Sequence, residues 1–186
     1  MGETRSRRVF FALWPDDEAI GHLSALGRGL AGGAGARLIR PGSLHLTLAF
    51  IGSVTPAQAA QLEEIAGGVR AVAFDLSLDR LGFWPRRGIL WAGCRQAPVP
   101  LRGLAEALAL DLRAAGFTID NRPGSALVPH ITLARRVRCA SVPLLGTPIR
   151  WRVREFALVE SHLTPSAASY KTLASFPLDE ADGVCG

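Results

Sequence analysis

His45-Leu46-Thr47-Leu48-Ala49 and His130-Ile131-Thr132-Leu133-Ala134 are two five-residue stretches that differ at a single position. Between them they use two of the four histidines in the chain. In a β-strand, residues i and i+2 share a face. His45 and Thr47 therefore point one way while Leu46 and Leu48 point into a core, and His130 and Thr132 do the same above Ile131 and Leu133. Two such strands facing one cleft offer two imidazoles and two hydroxyls to one small anionic group. The first half of the chain carries one stretch and the second half the other, which predicts two pseudo-symmetric lobes around a central cleft.

Working outward, residues 8–14 read as a buried opening strand. Pro15-Asp16-Asp17-Glu18 then opens a helix with acids suited to its N-terminal dipole, and Gly32-Gly33-Ala34-Gly35 ends it. Residues 37–40 form a short strand and Pro41-Gly42-Ser43 a turn into the first histidine strand, 44–51. Thr55-Pro56 caps a second helix running to about residue 69. Strands follow at 74–78 and 88–94. The longest helix, 98–115, lines Leu101, Leu104, Leu108 and Leu112 along one face. The second histidine strand spans 129–137, and strands at 151–160 and 170–176 complete the set. This order is neither alternating βαβα nor all-β. It predicts an α+β fold of two largely antiparallel sheets with flanking helices. Residues 1–186 form one domain on this reading, with 1–6 and 178–186 as frayed tails and Asp179, Glu180 and Asp182 solvated. Arg40-Pro41-Gly42-Ser43 is echoed by Arg122-Pro123-Gly124-Ser125, at a different distance from its histidine.

Composition narrows the function classes. Hydrophobic residues make up 48% and charged residues 20%, as in a globular protein, and no apolar run approaches the roughly 18–20 residues of a membrane helix. The basic N-terminus leads into too short an apolar stretch for a secretory signal, so the expected location is the cytoplasm, and the expected state a monomer. Cys94, Cys139 and Cys185 are few and far apart, with no metal-like spacing. The net charge is +5, carried by arginine with Lys171 the single lysine. High-GC codon usage accounts for the arginine-to-lysine ratio but not for the positive sign, which favours an anionic partner. Arg150-Trp151-Arg152-Val153-Arg154 alternates its arginines on one strand face, as either a groove wall for RNA backbone or a solvated basic surface. Trp14, Phe50 and Tyr170 could stack on a base, although a core place suits Trp14 and Phe50 better. His22 and His162 read as surface residues.

The two motifs and their flanks resemble the 2H phosphoesterase superfamily, and most closely the RNA 2′,3′-cyclic phosphodiesterases historically called 2′-5′ RNA ligases. The resemblance rests on residues 7–15, on 44–52, on Pro129 and the second motif with Arg135 behind it, and on 156–161 with Tyr170. It implies a bilobal fold, an RNA end bearing a 2′,3′-cyclic phosphate as partner, and no metal or cofactor. It also implies that His45 protonates the leaving 3′-oxygen and His130 activates the water, leaving a 2′-phosphate. From the residues alone, the near symmetry of the motifs leaves acid and base unassigned.

The chemistry suits the residue types. In-line attack of water on a cyclic phosphate needs one group to take a proton and another to give one, and imidazole, with an ordinary pKa of about 6.5, can do either. Thr47 and Thr132 can donate to the non-bridging oxygens where charge builds. Arg135 is expected at the phosphate, yet its odd offset from His130 requires a bend near Ala134 to bring it there. As the reverse of 2′-5′ diester cleavage, the same groups would ligate a cyclic phosphate to a 5′-hydroxyl. Competing readings are a phosphodiesterase for 2′-5′ oligonucleotides or small nucleotide cyclic phosphates, a non-catalytic RNA-binding module, and a metal site on His45 and His130. The last is disfavoured because a catalytic zinc wants three protein ligands.

Overall fold

The structure, a computed structural model, describes residues 6–31, 35–119, 128–138, 141–163 and 168–180. The expected helix stop at Gly32-Gly33-Ala34, the Arg122–Ser125 echo, Cys139, Cys185 and Asp182 lie outside them.

The chain opens with β1 (Arg7–Leu13), a β-branched and aromatic run buried along five consecutive residues. Its two faces serve different purposes. Val9, Phe11 and Leu13 join the main core, while Phe10 and Ala12 enter a smaller cluster on the opposite side. Helix α1 (Asp17–Leu30) starts where the Asp16 carboxylate accepts the Ala19 N–H at 2.8 Å. After β2 (Arg37–Leu38) and a 3-10 turn at Pro41–Ser43 comes β3 (Leu46–Val54). Helix α2 (Pro56–Gly68) has a full capping box: the Gln58 N–H donates to Thr55 Oγ1 and the Thr55 N–H to Gln58 Oε1. Next come β4 (Phe74–Leu78), β5 (Arg80–Trp84), β6 (Ile89–Gly93) and α3 (Val99–Ala114), whose four leucines are buried as expected. β7 (His130–Arg135), β8 (Ile149–Val153), β9 (Glu155–Leu163) and β10 (Ala168–Pro177) complete the order.

All strand pairs between these elements are antiparallel. The large sheet runs β10-β9-β1-β3-β7-β6-β5, with β2 added against β7, and β4 and β8 form a second sheet. The α+β expectation holds. The lobes meet at a narrow seam, because β3 and β7 pair only at Leu46 and Ile131. The helices pack crosswise, α1 reaching β7 and α3 reaching β3. They cover the apolar face formed by Leu46, Leu48, Ile131 and Leu133, leaving the opposite face open for the motif side chains.

Two expectations need correcting, and one open alternative is resolved. The stretch 151–160 is two strands, with Arg154 between them, and β8 belongs to the small sheet while β9 belongs to the large one. Of the two readings of its arginine face, the solvated one fits: Arg152 pairs with the exposed Asp75 and Glu180, and Arg154 with Glu180 at 2.8 Å. Residues 178–180 are not frayed, since Leu178 is buried and the Asp179 backbone bonds to Ala71 and Ala73. Glu180 is the shared acid of those ion pairs. Among the described residues no helix is long and apolar enough to cross a membrane.

Candidate active site

Both histidines are held in the same way. The His45 Nδ1–H donates to the carbonyl of Ser43 at 2.8 Å, and the His130 Nδ1–H donates to that of Val128 at 2.9 Å. A carbonyl can only accept, so Nδ1 carries the proton in each neutral ring and Nε2 keeps a lone pair for chemistry. The anchor is two residues upstream in both cases. In the first motif the 3-10 turn at Pro41–Ser43 presents it.

Each motif strand then carries a bulge. On β3, Thr47 pairs with Ala12 and Ala49 with Phe11, so Leu48 is an inserted residue. On β7, Thr132 pairs with Trp91 and Ala134 with Leu90, so Leu133 is inserted. A bulge resets the alternation of side chains. Leu133 and Ala134 are both buried, and Arg135 returns to the face shared by His130 and Thr132. The bend needed to bring Arg135 round is thus one bulge wide. The carbonyl of Leu133 accepts the Ile39 N–H at 2.9 Å, which ties the segment after β2 to the bulge.

Aromatic rings enclose the histidines. Phe10, Tyr170 and Trp14 lie 4.9, 4.9 and 5.5 Å from His45 between ring centroids. Trp84 stands edge-on to His130 at 4.6 Å, with Trp91 behind at 6.1 Å. Burial, countered by the Ser43 bond and assisted by the charge of Arg135, pushes His45 from its ordinary 6.5 down to about 4. Burial and Arg135 also lower His130. Both rings are therefore neutral in the empty site at neutral pH.

His45, Thr47, His130, Thr132 and Arg135 all line one cavity of about 410 Å³. All five residues singled out from sequence are brought together there. Arg37, Arg40 and Ser43 line it too, and sequence reasoning missed them. The signal available was their place one tight turn before the first motif. Among the described residues no aspartate or glutamate lines the cavity, and the charged side chains that do are arginines. Tyr170 lines it as well, whereas Trp14 and Phe50 pack beside it in the smaller apolar cluster. Phe10, Trp84 and Trp91 were also not foreseen.

Residues outside the cavity fall into ordinary places. His22 is exposed, and His162 is exposed beside Glu160. Cys94 is buried, and burial with the nearby Asp79 charge raises its thiol to about 11, which makes it a poor nucleophile. Among the described residues no group of three or more His, Cys, Asp or Glu converges on a point.

The chain is similar to known proteins in sequence and in fold. The family model for LigT-like phosphoesterases matches residues 13–91. The RNA 2′,3′-cyclic phosphodiesterase of Escherichia coli K12 is 34% identical over 145 residues, covering 77% of this chain and 81% of that protein. Its counterpart in Archaeoglobus fulgidus is 29% identical over 181 residues, covering 91% and 99%. The crystal structure of Escherichia coli LigT complexed with 3′-AMP superimposes with a TM-score of 0.84 at 30% identity, over 95% of this chain and 100% of that one. The chain belongs to the LigT-like phosphoesterase family and is an enzyme of the hydrolase class.

Proposed function

We propose that this enzyme hydrolyses the 2′,3′-cyclic phosphate at RNA ends to a 2′-phosphomonoester, without a metal, by acid–base catalysis between His45 and His130. The observation that carries the reading is the convergence of two tied-back imidazoles, two threonines and Arg135 on one cavity. The names of the relatives agree with the substrate, and the 3′-AMP bound by the Escherichia coli protein agrees with a site for a nucleotide phosphate.

In the proposed reaction, His130 Nε2 takes a proton from water as the water oxygen bonds to phosphorus. The bond from phosphorus to the 3′-oxygen breaks on the opposite side, and His45 Nε2–H gives its proton to that oxygen. The two imidazoles then re-equilibrate through solvent. Thr47, Thr132 and the Arg135 fork hold the non-bridging oxygens, where charge accumulates. His45 is neutral in the empty site, so it takes up its proton with the substrate, whose negative charge favours the imidazolium. With a 5′-hydroxyl in place of water, the same groups would form the bond from phosphorus to the 5′-oxygen as the bond to the 3′-oxygen breaks, leaving a 2′-5′ linkage.

The test is a short RNA ending in a 2′,3′-cyclic phosphate, incubated in EDTA with the phosphate position of the product resolved by NMR. A 2′-phosphate is expected, with none from His45→Ala or His130→Ala. A 3′-phosphate would exchange the two roles. Full activity in both variants, or none in the native enzyme, would overturn the reading.

A further inference from the structure

Arg37 sits directly across from Arg135 in the pairing of β2 with β7. Like charges in facing positions repel, and a protein normally relieves such a pair with a carboxylate. Neither arginine has an ion pair among the described residues, and Arg40, three positions on, has none either. All three line the same cavity, and among the described residues no acid lines it.

The position of this arm is fixed by backbone bonds. Leu38 pairs with Ala134, Ile39 donates to the bulge carbonyl of Leu133, and Arg40 accepts from Ser43 at 2.8 Å. That last bond closes the turn whose Ser43 carbonyl holds His45. The arginine arm and the first histidine are thus parts of one hydrogen-bonded unit. The threonines and Arg135 already supply donors for one phosphoryl group. A cavity of about 410 Å³ has room for a nucleotide-sized ligand, and two further guanidinium groups remain unassigned.

We infer that Arg37 and Arg40 form a second anion subsite, which takes the phosphodiester on the 5′ side of the nucleotide bearing the reacting phosphate. The inference rests on the cyclic phosphodiesterase reading above and deepens it. The only other anionic group on a nucleotide ending in a 2′,3′-cyclic phosphate is its 5′ linkage. The site therefore favours a chain over a mononucleoside cyclic phosphate, with no base-specific contact required.

The test compares a nucleoside 2′,3′-cyclic phosphate lacking a 5′-phosphate with the dinucleotide carrying the same terminal residue. In the native enzyme, kcat/KM is expected to be at least about tenfold higher for the dinucleotide, an advantage that shrinks with added salt. In Arg37→Ala/Arg40→Ala that ratio falls towards one. In Arg152→Ala/Arg154→Ala, which removes as much charge outside the cavity, the ratio persists. Thermal melts confirm that each variant folds. A native ratio near one, or a ratio that survives loss of Arg37 and Arg40, overturns the subsite while leaving the cyclic phosphodiesterase reading intact. Failure of the native enzyme to turn over either substrate overturns that reading and the subsite with it.

Discussion

Leu48 and Leu133 occupy the same place in their motifs: each lies three residues after the histidine and is the inserted residue of a β-bulge. The matched bulges return the residue five after each histidine to the site face. At that position the pseudo-symmetry breaks. The first motif has Phe50, which lies under the Arg8 guanidinium at 4.7 Å, and the second has Arg135. One half of the site is thereby apolar and aromatic, and the other carries the cation.

Arg135 is thus expected to carry a role that no residue of the first motif duplicates. Arg135→Ala should lower kcat for RNA cyclic phosphate by about 10²–10³-fold, the range for losing one transition-state donor. Arg135→Lys should recover part of this loss, since it keeps the charge and loses the bidentate fork. Steady-state kinetics check both, and an alanine variant with native kcat would remove Arg135 from the phosphate.

Thr47→Val and Thr132→Val keep shape and remove a hydroxyl. Each should cost kcat about 10²-fold with little change in melting temperature, because both side chains are partly exposed in the open cavity. Comparable losses for the two are expected from the antiparallel seam, which places Thr132 towards His45 and Thr47 towards His130. A loss in KM alone would mean that the hydroxyls hold the ground state only.

The pH profile follows from the buried imidazoles. The proposed reaction needs one ring protonated and one neutral. Free His45 titrates at about 4 and His130 below its ordinary value, so the singly protonated pair declines as pH rises towards neutrality. The alkaline limb of kcat/KM, which reports the free enzyme, should therefore fall below about pH 6.5. Bound phosphate favours both imidazolium ions, so the limb for kcat should lie at higher pH. Measuring both profiles across about pH 4–9 decides this, and coincident limbs would contradict it.

Stability should respond to the same group. The folded pKa of His45 is depressed below 6.5, so the unfolded chain binds the proton first as pH falls. The stability associated with neutral His45 is present above 6.5 and lost as pH drops through about 4. The difference amounts to at most about 3 kcal/mol over that window. His45→Asn should flatten the dependence of denaturation midpoint on pH between those limits relative to the native protein. Parallel curves for the two proteins would place the burial cost elsewhere.

The parts of the site written in local sequence were legible before the fold was known. The two motifs carry their own two-residue alternation, and Thr55-Pro56 caps α2 as expected. What was not legible depends on pairing between distant strands. β5 escaped notice because Gly82 in its centre reads as a loop; the Trp91 indole across the sheet occupies the space a side chain would need. Arg37 could be placed on a strand, but only pairing with β7 turns it towards Arg135. The bulge that rescues Arg135 exists because of register with Leu90 and Trp91, which no spacing within the motif encodes. Glu180 looked like a tail residue because its partners, Arg152 on β8 and Arg154 in the link to β9, lie far from it in sequence.

Two glycines should respond to the same substitution with opposite signs. Gly93 pairs with His130, and a methyl group there would collide with the carbonyl oxygen of Pro129. That obstacle is backbone, which cannot rotate away, and it immediately precedes the catalytic candidate. Gly93→Ala should cost about 1–3 kcal/mol of stability through overpacking and lower kcat by displacing His130 from its place beside Trp84. Gly103 lies on the exposed face of α3, and a methyl there meets nothing within 4 Å. Gly103→Ala should stabilise by about 0.5–1 kcal/mol through helix propensity, with native kinetics. Chemical denaturation and steady-state rates on the pair check both signs. If Gly93→Ala proved as benign as Gly103→Ala, the close approach of β6 to Pro129 would not be what positions the second histidine.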